Sequence, residues 1–293
     1  MYIALYGRPG LQDQVHEIQL LLSALKKAGV ALWLYQPLKE LVQNENLEAP
    51  WFETFANKAE LPVKLDFFIT IGGDGTLLDA VTWVGDREVP VLGINFGRLG
   101  FLTSAVPSKA KEAVDNLING RFTLEHRSMI RLFSDPILFA DVPYGLNEFA
   151  LHKKDSSSMI RIKTFIDGEF LNTYYADGLI VSTPTGSTGY SISCGGPIML
   201  PDAPNFVITA VAPHNLNVRP VVVKDDSLIS FEIEGIGNQF LASLDSRVET
   251  ISADFKLKVT RHNKVFKLVR LNDYSYLKSL RNKLLWGIDK RNG

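Results

Sequence analysis

The stretch Phe67-Phe68-Ile69-Thr70-Ile71-Gly72-Gly73-Asp74-Gly75-Thr76 leaves the chain few folding options. Residues 67–71 are β-branched or aromatic and read as a buried strand, while Leu77, Leu78, Val81 and Val84 recur at helical spacing. A glycine-rich turn therefore joins a strand to a helix. Glycine lets a backbone approach a ligand closely, and a helix N-terminus presents unpaired N–H groups with partial positive charge, so this turn suits phosphate. Asp74 is the exception. A carboxylate repels phosphate, and its presence points to a metal ion or a proton. The plainer alternative is a tight turn whose aspartate caps the helix.

The segments around this turn extend the same pattern. Tyr2 to Tyr6 reads as a strand, Gly7-Arg8-Pro9-Gly10 as a loop, and Val15, Ile18, Leu21, Leu22 and Leu25 as the buried face of a helix closed by Gly29. Val30 to Tyr35 is the next strand, so a right-handed crossover and a mostly parallel sheet are expected. A short helix near Leu38 to Val42 precedes a polar, mobile connection reaching residue 62. Val89 to Asn95 forms another strand, followed by Phe96-Gly97-Arg98-Leu99-Gly100-Phe101-Leu102-Thr103, a second glycine-containing loop from which Arg98 could reach a phosphate. Pro107 to Ile118 is an amphipathic helix stopped by Gly120.

From Arg121 onward alternation replaces the helical period. Met159 to Ile166 and Phe170 to Tyr174 flank Asp167-Gly168, a hairpin turn. Further strands are expected at 206–212, 228–234, 240–244, 255–260 and 265–269, which together predict an all-β second domain. Tyr276, Leu277, Leu280, Leu284 and Leu285 mark a terminal helix whose apolar face must be covered, and we expect it to return to the first domain.

The densest cluster of constrained polar residues lies in this β region, at Asp177 to Ser191. A strand ends there in a turn rich in hydroxyls and glycines, a surface suited to a ribose, an amide or an adenine edge. Upstream, Asn147-Glu148 interrupts the apolar run from Tyr144 to Leu151, where a carboxylate is costly without a partner such as a diol. The net charge of −1 argues against a general nucleic-acid or membrane-surface binder, and no apolar run approaches bilayer length. Cys194 is the single cysteine, so no intrachain disulfide forms, in keeping with a cytoplasmic location.

The GGDGT loop lacks the lysine of a Walker loop and the spacing of a Rossmann fingerprint. It resembles the loop of NAD kinases, of diacylglycerol- and sphingosine-type lipid kinases and, with a final serine, of phosphofructokinases. The wider chain resembles the NAD kinases alone, through residues 95–102, Asn147-Glu148, residues 176–191, Gly195-Gly196-Pro197, Pro213-His214-Asn215-Leu216 and Arg219-Pro220. That resemblance implies an α/β N-terminal domain with a mostly parallel sheet over residues 1–121, completed by 271–293, and an all-β, sandwich-like dinucleotide-binding domain over 122–270. It also implies phosphorylation of the adenosine ribose 2′-hydroxyl of NAD, with ATP as donor or inorganic polyphosphate in its place. A divalent metal, magnesium, and a homodimer or homotetramer whose nucleotide sites use a neighbouring subunit are expected with it.

Position by position, Asp74 corresponds to the family's proton acceptor and Gly75 lines the dinucleotide. Asn147 and Glu148 resemble the pair that holds the ribose and adenine side, while Asp177, Thr185, Thr188, Tyr190, Ser191 and Ser193 match dinucleotide contacts. Gly72, Gly73, Thr76, Gly189, Ile192 and Ala212 complete the implied binding set. Three further members depart from the commoner pattern. Ser158 stands where a basic or imidazole residue is frequent, Tyr175 where arginine or a small residue is found, and Arg247 where glutamine is frequent. The last could supply positive charge near the 2′ position. Two rivals are a lipid kinase with the same loop and a dinucleotide sensor without turnover; the hydroxyl-rich turn speaks against the first and Asp74 against the second.

Overall fold

The computed structural model describes residues 1–43, 51–97, 100–154, 159–235, 239–271 and 274–286. The chain divides into two compact units, one of residues 1–125 with 267–293 and the other of residues 126–266.

In the first unit the chain runs β1 (Tyr2–Gly7), α1 (Val15–Lys27), β2 (Ala31–Tyr35), α2 (Gln36–Gln43), β3 (Glu53–Phe55), β4 (Phe67–Gly72), α3 (Asp74–Val84), β5 (Val91–Asn95) and α4 (Ala110–Ile118). The strands lie parallel in the order β5-β4-β1-β2-β3. Helices supply the crossovers that parallel pairing demands, and both faces of the sheet are apolar as a result. Ile18, Leu21, Leu22 and Leu25 of α1 pack against Ile3, Leu5, Ile69 and Leu92 of the strands. The register places Gly7 beside Ile71 and Gly72 beside Asn95, so the carboxyl ends of β1, β4 and β5 share one edge. Ligands of open α/β sheets collect at such an edge.

β3 departs from the expected polar connection. It pairs with β2 and buries Phe55 completely against Tyr35, Phe68 and Trp83, with ring centroids 5.2–6.4 Å apart. Aromatic burial orders a segment that is too short to show a period. The rest of that connection, residues 44–50, lies outside the described residues.

The second unit takes β6 (Phe122–Asp135) from its residue 126 onward, then β7 (Tyr144–Gly145), β8 (Glu148–Lys153), β9 (Ile160–Ile166), β10 (Glu169–Ala176), β11 (Gly178–Ser182) and α5 (Tyr190–Ser193). β12 (Asn205–Val211), β13 (Val221–Lys224), β14 (Ile229–Gly235), β15 (Phe240–Leu244), β16 (Arg247–Ile251) and β17 (Lys256–Leu271) follow. One antiparallel sheet has the order β13-β12-β11-β8-β15-β16, and a second contains β10-β9-β14-β17. Alternate residues of the two sheets form one core, including Phe149, Leu179, Val181 and Phe206 from the first and Ile162, Tyr174, Phe231 and Val259 from the second. This is a sandwich. Asp167 and Gly168, both at positive φ, make the tight β9–β10 turn.

Two strands expected at 255–260 and 265–269 are a single strand, β17. The polar run between them finds partners: Arg261 pairs with Asp225 at 3.2 Å, and the His262 ring stacks on Tyr144 at 4.2 Å. β13 and β16 fall outside the expected set, since these edge strands leave Val222 and Val248 exposed and carry a weak apolar signal. After β17, α6 (Tyr276–Leu284) buries Leu280 but leaves Leu277 exposed, and Leu285, just past its end, is exposed too, so the expected cover over its apolar face is incomplete. No helix among the described residues is long and apolar enough to cross a membrane.

Candidate functional site

In the first unit, Gly72 has φ +147° and its α-carbon lies against the Thr76 side chain, so a residue with a Cβ would be strained and would collide. Gly73 is the extended N-cap of α3, and Asp74 and Gly75 open the helix. Thr76 is buried, and its N–H and that of Leu77 return to the Gly73 carbonyl at 3.1 and 3.2 Å. The N-cap position belongs to Gly73, and Asp74 is the first residue of the helix. Its side chain reaches to the second loop, where Oδ2 accepts from the Phe101 N–H at 2.6 Å and Oδ1 from the Leu102 N–H at 3.1 Å. A side chain at Gly100 would collide with this carboxylate. The capping alternative therefore fails, because both oxygens are committed to a loop 27 and 28 residues away. Each oxygen keeps a lone pair for a proton or a cation.

Arg8, read from the sequence only as part of a loop, stands beside this turn. Its guanidinium makes a two-point pair with Asp79 at 2.6 Å per bond, and Nη1 lies 3.5 Å from where a Cβ on Gly75 would sit. Asp79 also accepts from the Tyr6 hydroxyl at 2.9 Å, which fixes the pair. Its signal in the sequence is its place directly after β1, the strand paired with β4. Arg98 lies outside the described residues.

In the second unit, Asn147 and Glu148 enter β8 on a turn whose backbone is fully engaged. The Asp245 carboxylate accepts the N–H groups of Leu146, Asn147 and Glu148 at 2.7, 2.7 and 3.2 Å. On the carbonyl side, the Thr183 hydroxyl donates to Leu146 and the Thr183 N–H to Asn147. With the backbone so held, the Asn147 Oδ1 and Glu148 Oε2 atoms are buried and without a hydrogen-bond partner among the described residues. Burial, seconded by the nearby Asp245 charge, lifts the Glu148 carboxyl from its ordinary range to about 8, against an opposing hydrogen bond from the Tyr190 backbone. Burial also raises the Asp245 carboxyl, opposed by its three backbone donors.

The turn after β11 closes over this pair. Gly186 lies against the Asn147 carbonyl where no side chain fits, and a Cβ on Gly189 would meet Glu148 Oε2 at 3.4 Å and Asn147 Nδ2 at 3.5 Å. Thr185 is buried and receives a bond from the fully buried Arg127 at 3.4 Å, while the Thr188 hydroxyl donates to the Thr185 carbonyl at 3.3 Å. Tyr190 is 40% exposed, with its ring stacked on His152 at 5.5 Å. Beside it Asp177 holds Lys153 at 2.6 Å, and burial holds the His152 imidazole below its ordinary pKa.

Other implied contacts are placed differently. Ser191 is buried with its hydroxyl 3.0 Å from that of Thr209, so this side chain serves the sheet. Arg247 donates to the carbonyls of Val142 and Tyr144, the latter at 2.5 Å, and its guanidinium lies over the Phe139 ring, so the expected free positive charge is spent on a loop. Tyr175 is 44% exposed, and its carbonyl accepts from the His214 N–H at 2.8 Å. Ala212 has φ +44° and is exposed, Ser193 is exposed and Ile192 half-buried. Ser158 lies outside the described residues. Sequence reasoning missed Asp245, although an acidic residue between two alternating strands is the composition of a hairpin turn, and its φ of +53° suits that place.

The first unit thus offers an acceptor carboxylate beside a glycine turn and a helix N-terminus. The second offers one buried amide oxygen and one buried carboxyl oxygen, each without a partner among the described residues, beside hydroxyls and an aromatic face. The ATP-NAD kinase N-terminal domain profile matches residues 22–122 and the ATP-NAD kinase C-terminal domain profile residues 146–271. A curated NAD kinase of Cytophaga hutchinsonii is 51% identical over 293 residues, covering 100% of both chains, and one of Flavobacterium johnsoniae is 39% identical over 294 residues, also covering 100% of both. Among solved structures, yeast NADH kinase complexed with NADH has a TM-score of 0.89 at 23% identity, with 99% of this chain and 88% of that one covered. An NAD kinase from Archaeoglobus fulgidus in complex with ATP has a TM-score of 0.74 at 24% identity, with coverage of 97% and 99%. Full-length identity of this order, falling on the segments that carry Asp74 and the Asn147-Glu148 turn, places the chain in the NAD kinase family.

Proposed function

We propose that this chain transfers the γ-phosphoryl group of ATP to the 2′-hydroxyl of the adenosine ribose of NAD, giving NADP. The observation that carries this reading is the pair of buried atoms on Asn147 and Glu148, without a partner among the described residues and held beside the 185–190 turn. Buried polar atoms are normally satisfied, and a vicinal diol supplies both donors and acceptors for them. Asp74 is the proton acceptor for the attacking hydroxyl. Its hydrogen bonds to the Phe101 and Leu102 amides fix its direction without exhausting its lone pairs. Phosphoryl transfer rests on positioning and charge stabilisation, so the N–H groups at the start of α3 contribute beside the base.

Tyr190 offers a base-stacking face and Asp177 an acceptor for an amide or amine. A lipid kinase would need an apolar entry, whereas Thr185, Thr188 and the Asn147-Glu148 pair are polar, so that alternative is set aside. Among the described residues no group of three or more His, Cys, Asp or Glu could hold a metal ion. In this reading a magnesium ion arrives with ATP, since Mg²⁺ is usually held by phosphates with one or two carboxylates and supplies charge neutralisation there. Cytoplasmic location and assembly as a homodimer or homotetramer belong to this reading, and light scattering at assay concentration should give a mass above that of one chain; a fully active monomer would contradict the assembly.

The test is incubation of purified protein with NAD, ATP and magnesium, followed by an NADP-specific dehydrogenase. NADP should accumulate. No product above a no-enzyme control would overturn the reading.

A further inference from the structure

Arg270 is 2% exposed in the first unit, and a buried guanidinium demands compensation. Its fork is spent on the loop that holds Asp74. Nη2 donates to the Phe101 carbonyl at 3.0 Å, Nη1 to the Leu102 carbonyl at 2.9 Å and to Ser104 Oγ at 3.2 Å, while Nε donates to Glu125 Oε2 at 2.8 Å. The Tyr274 ring lies 3.6 Å from the guanidinium carbon, and its hydroxyl adds a second bond to the Phe101 carbonyl at 3.0 Å. One peptide group is thereby held at both ends. The carbonyl of the 101–102 peptide faces Arg270 and Tyr274, and its N–H faces Asp74 Oδ1. Bonds in such a chain polarise one another, and the cation strengthens the donor offered to the carboxylate.

We propose that Arg270, assisted by Tyr274, is a positioning residue for Asp74: it clamps the 101–102 peptide so that two backbone amides hold the carboxylate in the orientation that accepts the hydroxyl proton. This rests on Asp74 being the proton acceptor. Neither residue is given contact with substrate. The clamp acts through the loop, and Gly100 admits the carboxylate against that loop because it has no side chain.

A set of double-mutant cycles tests the proposal. Tyr274→Phe, Arg270→Lys and Arg270→Met are each made alone and with Asp74→Asn, with kcat, KM for NAD, KM for ATP and Tm measured for all. Tyr274→Phe removes one hydroxyl and should lower kcat about 3- to 10-fold, and Arg270→Met about 10- to 100-fold, with both KM values kept. Arg270→Lys keeps the charge but loses the fork, and should fall between wild type and Arg270→Met. In the Asp74→Asn background the same changes should alter kcat less than about 2-fold. Losses that multiply in full in that background, or an unchanged kcat in folded Tyr274→Phe, would overturn the proposal. Should Arg270→Met fail to fold, the Tyr274→Phe cycle decides alone. Near-normal kcat in Asp74→Asn by itself removes the underlying reading, and the proposal with it, without reference to any Arg270 variant.

Discussion

Glu148 carries an electrostatic cost in the candidate site. Its carboxyl is raised to about 8 by burial and by the neighbouring Asp245 charge. A carboxyl that holds its proton more tightly when folded contributes stability in full below its unfolded pKa of about 4.3, and that contribution is lost as pH rises through about 8. Ligand-free wild type should therefore lose stability between these limits. Glu148→Gln should lose less, so that the Tm difference, wild type minus variant, falls as pH increases. Parallel Tm curves from pH 5 to 9 would contradict the placement of Glu148. Asn147, Glu148 and Asp74 were legible in the sequence because each is a polar residue where the local pattern calls for an apolar or neutral one. Their partners were not. Asp245 lies 97 to 99 residues beyond the amides it accepts, and Arg270 lies 168 and 169 residues beyond the carbonyls it holds. No local period records such contacts.

At the scale of elements, the turn between β15 and β16 fixes the entrance of β8 through a single side chain. Asp245→Asn keeps the size of the residue and tolerates its positive φ, but aims an amide group at backbone donors. Loss of a bond to a charged acceptor costs about 1.5–3 kcal/mol. The variant should melt earlier and raise the KM for NAD about 10-fold or more, with the KM for ATP little changed. An unchanged KM for NAD in the folded variant would return Asp245 to a purely structural role. Central strands such as β4, β5 and β11 were readable from continuous apolar runs, since both their faces are buried. β3, β13 and β16 are short or half-exposed and pair through backbone bonds that no side-chain pattern announces. β17 was divided in two because His262, which stacks on Tyr144, looks like a loop residue when its partner is unknown.

For the whole molecule, the change from helical period to alternation announced a parallel α/β unit and an antiparallel sandwich. The shared edge formed by Gly7, Gly72 and Asn95 follows from the parallel register and could be anticipated from strand order alone. The Arg8–Asp79 pair and the Arg270 clamp needed side-chain geometry. We propose proton acceptance by Asp74 and dinucleotide recognition by the Asn147-Glu148 turn. The most direct test runs the NADP-forming assay on wild type and Asp74→Asn together, with NAD affinity measured by calorimetry. Asparagine keeps the side chain's shape but cannot take up the proton, so kcat should fall about 10²- to 10⁴-fold while the Kd for NAD changes little. An Asp74→Asn enzyme that makes NADP at close to the wild-type rate would contradict the account.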